Sequence, residues 1–254
     1  HLILKQIGVK GQKALRSSKV LVIGAGGLGS PVLSYLAAAG VGTLGICDGD
    51  VVSLSNLQRQ ILYTTDEIGQ PKVECAKRRL SAMNPDVTFE LYDYYLTPDN
   101  IMDIIAPYDM VVDCVDTFAV KYKINDACVL EEKPFSHAGI IRFEGQLMTY
   151  VPGEGPCYRC VFKEPPPKDA VPTCREAGVV GAVAGVIGCP QAMEAVKYIT
   201  GAGDLLTGRL LTYNALRSQF RTVPLPRDSH CAVCSGERTI HVPFDYELPV
   251  CDLK

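Results

Sequence analysis

The chain has 254 residues, 47% of them hydrophobic, and a formal net charge of −3. That length and composition suit one large α/β domain with a sizeable core. The near-neutral charge excludes a general affinity for nucleic acid or for an anionic membrane surface. Residues 1–18 carry Lys5, Lys10 and Lys13 among apolar positions with no long apolar stretch, so they do not read as a secretory signal.

Those eighteen residues read as helical and lead into KVLVIG (Lys19 to Gly24), a short apolar run of the kind a buried parallel strand shows. GAGGLGS follows, then SPVLSYLAAAG, a helix with Pro31 tolerated in its first turn. TLGICD (Thr43 to Asp48) is the second strand, which completes a βαβ unit. After a polar stretch, Gly49 to Gln70, the pattern resumes with helix PKVECAKRRLSAM, strand VTFELY and short helix DNIMDIIA. DMVVDCVD (Asp109 to Asp116) is a buried strand ending in carboxylates. Helix AVKYKINDACVLEEK and strand PFSHAG come next.

After Gly139 the character changes. IIRFEGQLMTYV and GRLLTYNALRSQFRTV predict antiparallel strands and a hairpin. Between them lie a CxxC, a proline-rich loop (Glu164 to Thr173) and a glycine-rich apolar segment, AGVVGAVAGVIGCP. At about 14 residues that segment is too short for the roughly 20 a bilayer needs. It predicts a buried helix continuing through QAMEAVKYI, with Gly181 and Gly185 presenting small surfaces one turn apart for another backbone to approach. The fold class expected is therefore α/β: a Rossmann-like, doubly wound sheet whose parallel N-terminal part is continued by antiparallel strands, with a four-cysteine zinc module. Residues 1–254 read as a single domain, with a nucleotide-binding half over 1–140, a second half over 141–236 and a tail over 237–254.

Gly24-Ala25-Gly26-Gly27-Leu28-Gly29 matches GxGxxG between a strand and a helix. Glycines there let the backbone approach a phosphate, and helix N–H groups stabilise its charge. Asp48, ending the next strand, is placed to accept ribose hydroxyls. The motif by itself marks nucleotide binding and fits an NAD-dependent oxidoreductase. The next stretch, DGDVVSLSNLQRQ followed by GQPK, adds an amide (Asn56), a guanidinium (Arg59) and an ammonium (Lys72) near the same strand ends. Such a cation cluster suits a triphosphate better than a pyrophosphate. Lys72 opens a helix, where the dipole disfavours a cation unless an anion sits beside it; a solvated polar loop is the plainer reading.

With GAGGLGS, DGDVVSLSNLQRQ, GQPK and DCVDT in that order, the chain resembles the MoeB/ThiF branch of the ubiquitin-activating (E1-like) superfamily, over almost its whole length. The SNLQRQ, EGQ and CxxC contexts look most like the molybdopterin-synthase activating enzymes, although thiamine-pathway and other sulfur-transfer relatives share them. The resemblance implies an adenylyltransferase that uses ATP and magnesium to activate the C-terminal Gly-Gly carboxylate of a ubiquitin-like sulfur-carrier protein. It implies nucleotide contacts from Gly24, Gly26, Gly27, Gly29 and Gln60, ribose contact from Asp48, and triphosphate contacts from Asn56, Arg59 and Lys72. Asp116 would bind magnesium, which prefers a few carboxylates with phosphate oxygens. Asp113, three residues earlier, reads as a structural carboxylate capping a turn, and His137 as either a channel-lining or a core histidine. The family also carries an arginine in an N-terminal R-Q-x-x-L-like element that reaches into a partner subunit's site. Here the aligned text is HLILKQIG and that position falls before His1, so a homodimer completing each site is expected.

Cys157-Tyr-Arg-Cys160 and Cys231-Ala-Val-Cys234 are two complete CxxC knuckles about 70 residues apart. Four thiolates suit tetrahedral zinc in a closed, structural site; a redox pair or separate buried thiols are the alternatives. Cys47, Cys75, Cys114 and Cys128 lie in apolar or helical segments and read as small buried hydrophobes. With this usage of its eleven cysteines, the chain is expected in the reducing cytoplasm. Cys174 in PTCREAG stands where superfamily members carry a loop cysteine, which some use for a thioester or persulfide and others do without. A following helix and Arg175 would lower its thiol pKa. No rhodanese-like domain follows Cys234, so sulfur is expected from a separate donor or from Cys174. A non-catalytic carrier-binding subunit remains the other reading.

Overall fold

The computed structural model describes residues 1–166 and 177–245. One eight-stranded sheet organises them, in the order β3-β2-β1-β4-β5-β6-β7-β8. The strands are β1 (Lys19–Ile23), β2 (Thr43–Cys47), β3 (Thr88–Tyr92), β4 (Met110–Asp113), β5 (Phe135–Ile141), β6 (Glu144–Tyr150), β7 (Arg209–Asn214) and β8 (Gln219–Pro224). The pairs β1–β2, β1–β4, β2–β3 and β4–β5 are parallel, and from β5 onward the pairing is antiparallel. The change of character expected after Gly139 is thus real. The strand before it runs two residues further than PFSHAG suggests, because Ile140 and Ile141 still pair with Gly145 and Glu144.

The helices are α1 (Gly8–Ser17), α2 (Gly29–Ala39), α3 (Lys72–Met83), α4 (Ile101–Ile105), α5 (Phe118–Leu130), α6 (Tyr158–Val161) and α7 (Gly181–Thr200). They cover both faces. Val20 and Val22 join a core with Leu15, Leu36, Leu80, Val183 and Ile187. Leu21 and Ile23, pointing to the other face, join Ile101, Ile124, Phe135 and Tyr158. Burial on both faces is why β1, β2 and β4 read as apolar runs, while β3 at the sheet edge is only partly buried and mixes polar residues. No described helix is long and apolar enough to cross a membrane.

α7 runs through Pro190 and ends at Gly201 in the left-handed conformation (φ 68°), a common helix stop. Its expected close approaches need one correction. A Cβ on Gly181 would stand 2.2 Å from the Gln58 carbonyl oxygen, and one on Gly188 would stand 2.5 Å from Pro31 Cγ. A Cβ on Gly185 would meet nothing within 4 Å. Seven residues make close to two turns, so Gly188 stands within about 20° of Gly181 around the helix, while Gly185, about 40° to the other side, faces open space.

Candidate active site

The strand order reverses between β1 and β4, and crevices at such switch points, outside the carboxyl ends of the strands, are where open α/β sheets bind ligands. The glycine turn leaves β1 there. Gly24, at φ 93°, has its N–H on the Cys47 carbonyl at 2.8 Å. A Cβ on Gly24 would stand 2.9 Å from the Cys114 backbone, and one on Gly29 only 2.0 Å from the Gly24 oxygen. The turn is therefore wedged between the ends of β2 and β4, and only hydrogen at these positions lets α2 start so close.

The SNLQRQ stretch folds over that turn. Leu54–Asn56 is a short 3-10 helix, and the Asn56 carbonyl accepts the N–H groups of Arg59 (3.1 Å) and Gln60 (2.9 Å). Arg59 stays half-buried, its guanidinium held by the Ser55 carbonyl at 3.1 Å. Cβ atoms on Gly26 and Gly27 would lie 3.4 Å from Gln60 Nε2 and Arg59 Cγ, so both side chains reach the turn. Gln60 Oε1 is buried without a hydrogen-bond partner among the described residues. Tyr63, which the sequence reading passed over, donates its hydroxyl to the Ala25 carbonyl at 2.7 Å. Gly181 lets α7 press on Gln58 and Arg59 from below.

Asp48 and Lys72 meet at the same place. Asp48 accepts the Ala25 N–H on Oδ2 (2.8 Å) and the Asp50 N–H on Oδ1 (2.9 Å). Burial pushes its carboxyl above the ordinary carboxylate value, against the pull of Lys72 and both N–H donors. Lys72 opens α3 as expected, with its side chain only 4% exposed. Its Nζ lies 2.8 Å from Asp50 Oδ2 and 3.7 Å from Asp48 Oδ1. The anions beside this helix-opening cation are thus two carboxylates of the DGD element.

Asp116 stands beyond β4, exposed in the turn before α5, two residues past the Cys114 backbone on which Gly24 packs. Asp113 is fully buried and does cap that turn, accepting the Val115 N–H at 3.1 Å. It does more than the sequence suggested. Lys121 Nζ is 3.2 Å from its Oδ2, and His137 Nδ1 is 2.7 Å away. Burial works to raise the Asp113 carboxyl, but Lys121 and then His137 outweigh it and hold it below the ordinary value. His137 is a core residue, 1% exposed, its ring 4.2 Å from that of Tyr158. Residues 8 and 24 positions from Asp113 gave no local signal of this cluster.

The four knuckle cysteines come together, their sulfurs all within 4.8 Å of one another. Cys157–Cys160, Cys157–Cys231 and Cys160–Cys234 are separated by 3.9, 3.5 and 3.4 Å. These distances exceed a disulfide's by well over 1 Å and suit the roughly 3.8 Å edges of a tetrahedron with metal–sulfur bonds of about 2.3 Å. Hydrogen bonding among the four sulfurs lowers the Cys231 and Cys234 thiols and raises those of Cys157 and Cys160, so without a metal the cluster shares its protons. Arg159, inside the first knuckle, grips Asp126 of α5 through Nε (2.6 Å) and Nη2 (2.7 Å), both side chains buried. Cys47, Cys75, Cys114 and Cys128 are buried singly, as expected; burial pushes the Cys47 thiol up to about 12. Cys174 lies outside the described residues.

The chain resembles known proteins over nearly its whole length. The ThiF family profile matches residues 1–233. The chain is 48% identical over 252 residues to a sulfur carrier protein adenylyltransferase of Thermus thermophilus, covering 97% of this chain and 93% of that protein. It is 45% identical over 255 residues to the adenylyltransferase and sulfurtransferase MOCS3 of Aedes aegypti, spanning 58% of that longer protein. A crystal structure of E. coli MccB with ATP superposes with a TM-score of 0.80 at 24% identity, over 89% of this chain and 69% of that one, which speaks to the fold. The chain therefore belongs to the ThiF family.

Proposed function

We propose that the chain adenylates the C-terminal Gly-Gly carboxylate of a small ubiquitin-like sulfur-carrier protein, releasing pyrophosphate from ATP, in cofactor biosynthesis such as that of molybdopterin or thiamine. The observation that carries this reading is the convergence of three strand-end elements on one glycine turn. They are Asp48 with Lys72, Arg59 with Gln60, and the Cys114–Val115 backbone that leads to Asp116. The relative named a sulfur carrier protein adenylyltransferase supports the substrate class.

The carrier's carboxylate is ionised at neutral pH, so its attack on the α-phosphate needs no general base. It forms one P–O bond to the carboxylate oxygen as the bond to pyrophosphate breaks. What the chain must supply is alignment and positive charge. The glycine turn and Gln60 would seat the phosphates, Asp48 the ribose, and Asn56, Arg59 and Lys72 the triphosphate. Magnesium, when bound, neutralises phosphate charge; Asp116, an exposed carboxylate at the mouth, fits as its protein ligand. The cysteine cluster would hold a structural zinc joining the 141–236 half, which receives the carrier, to α5. Sulfur would reach the acyl adenylate, with AMP leaving, from a separate donor or by way of Cys174, and a homodimer would complete each site.

The test is ATP–pyrophosphate exchange with magnesium and a panel of purified Gly-Gly-ended carriers. Exchange that depends on one carrier establishes the reaction and selects the pathway. A folded chain that binds NAD and no ATP would overturn it.

A further inference from the structure

Tyr95 lies on the loop after β3, a segment to which neither the motifs nor the family resemblance gives a task. Its ring is 67% exposed, so packing does not account for its position. Its hydroxyl nevertheless donates to Asp50 Oδ1 at 2.5 Å. The other oxygen of that carboxylate, Oδ2, takes the Lys72 ammonium at 2.8 Å. Lys72 in turn stands 3.7 Å from Asp48, whose far oxygen accepts the Ala25 N–H of the glycine turn. One chain of polar contacts thus runs from the loop after β3, through the loop after β2, to the turn after β1.

The backbone is shaped for this contact. A Cβ on Gly49, between the two aspartates, would stand 3.0 Å from the backbone of Tyr94 and Tyr95. The loop itself is tied down: Asn100 donates to the Tyr95 carbonyl at 3.2 Å, and Lys123 to the Leu96 carbonyl at 3.0 Å. Asp50 needs such a hold because its side chain is 52% exposed, while the ammonium it pairs with is buried. A lysine on a four-carbon stem keeps one place only if its counter-charge does.

We propose that Tyr95 is a positioning residue for nucleotide binding, fixing Asp50 so that Lys72 is held ready for the phosphates. This rests on the reading of Lys72 as a triphosphate contact. In this role Tyr95 acts through Asp50 and not by contact with the nucleotide.

The experiment is calorimetric titration of the full chain with ATP and with adenosine, which has the base and ribose and no phosphate. Tyr95→Phe removes one hydroxyl, and ATP should bind roughly fivefold more weakly, the scale of one hydrogen bond to a charged group at a partly solvated site. Adenosine affinity and the thermal midpoint should not move. Asp50→Asn should weaken ATP at least as much, and adding Tyr95→Phe to it should bring no further loss. Unchanged ATP affinity in Tyr95→Phe overturns the proposal. So do equal losses for ATP and adenosine, which would make Tyr95 a wall of the pocket, and additive losses in the double variant. A wild-type chain that binds no ATP removes the reading of Lys72 and this inference with it. ATP binding without carrier-dependent exchange overturns only the proposed reaction and leaves the Tyr95 result standing.

Discussion

His137 gives its Nδ1 hydrogen to the Asp113 carboxylate at 2.7 Å, with neither side chain more than 1% exposed. A carboxylate only accepts, so Nδ1 carries the proton, and Nε2 is left as a buried acceptor without a partner among the described residues. Burial, with Lys121 adding to it, pushes the imidazole down to about 4 against the pull of Asp113. The sign follows directly. Between pH 6.5 and about 4 the unfolded histidine binds a proton and the folded one does not, so stability falls as the medium is acidified through that window. The loss attributable to His137 approaches about 3 kcal/mol at the acid end. Asp113, held below the ordinary carboxylate value, contributes stability that is lost only at lower pH. Urea unfolding at a series of pH values should show the slope, and His137→Gln should flatten it. An unaltered slope in that variant would refute the assignment.

The glycines of α7 give a paired test of packing. Gly185 is followed by open space, and an alanine there removes helix-interior glycine at no steric cost. Gly185→Ala should raise stability by roughly 0.5–1 kcal/mol. Gly188→Ala would drive a methyl to within 2.5 Å of Pro31 and 2.9 Å of the Leu28 carbonyl, the second of which is backbone. It should lower stability by about 1–3 kcal/mol. Thermal denaturation of the two single variants checks both signs.

The contrast also shows what could be read from sequence. Parallel strands buried on both faces are continuous apolar runs, so β1, β2 and β4 announced themselves, and GxGxxG and the two CxxC pairs carry their own spacing. The phase of α7 against α2 is a tertiary fact; a one-turn glycine repeat suggested Gly185, where the packing chose Gly188. The same holds for charge. Lys121 and Lys123 stand in helix AVKYKINDACVLEEK among other charged residues, yet both are buried, one on Asp113 and the other on the Leu96 carbonyl and Asp245. Nothing local distinguishes such a lysine from an exposed one.

The cysteine cluster should hold one zinc per chain, measured by elemental analysis after purification without added metal. Cys160→Ser should lower the metal content and the thermal midpoint together. Arg159→Ala should be as damaging by another route. It leaves the buried Asp126 carboxylate without its bidentate partner, a change that costs about 3–5 kcal/mol. Loss of stability in Arg159→Ala with metal retained would separate the salt bridge from the cluster. A metal-free chain of undiminished stability would remove zinc from the account.

Asp116 offers the sharpest separation of chemistry from folding. It lies three residues past the end of β4, exposed, and its side chain makes no hydrogen bond to a described residue. Its neighbour in sequence, Asp113, supplies the bond that shapes the turn, so removing the Asp116 carboxylate leaves the turn intact. Asp116→Ala should therefore unfold within about 0.5 kcal/mol of the parent, as surface substitutions do. ATP–pyrophosphate exchange should fall by roughly a hundred- to a thousandfold, the scale of losing one charge-stabilising group. The enhancement of ATP binding by magnesium should vanish, while binding without magnesium stays as it was. Near-normal exchange from Asp116→Ala would take this residue out of the mechanism. A fall in stability matching the fall in exchange would make its role structural.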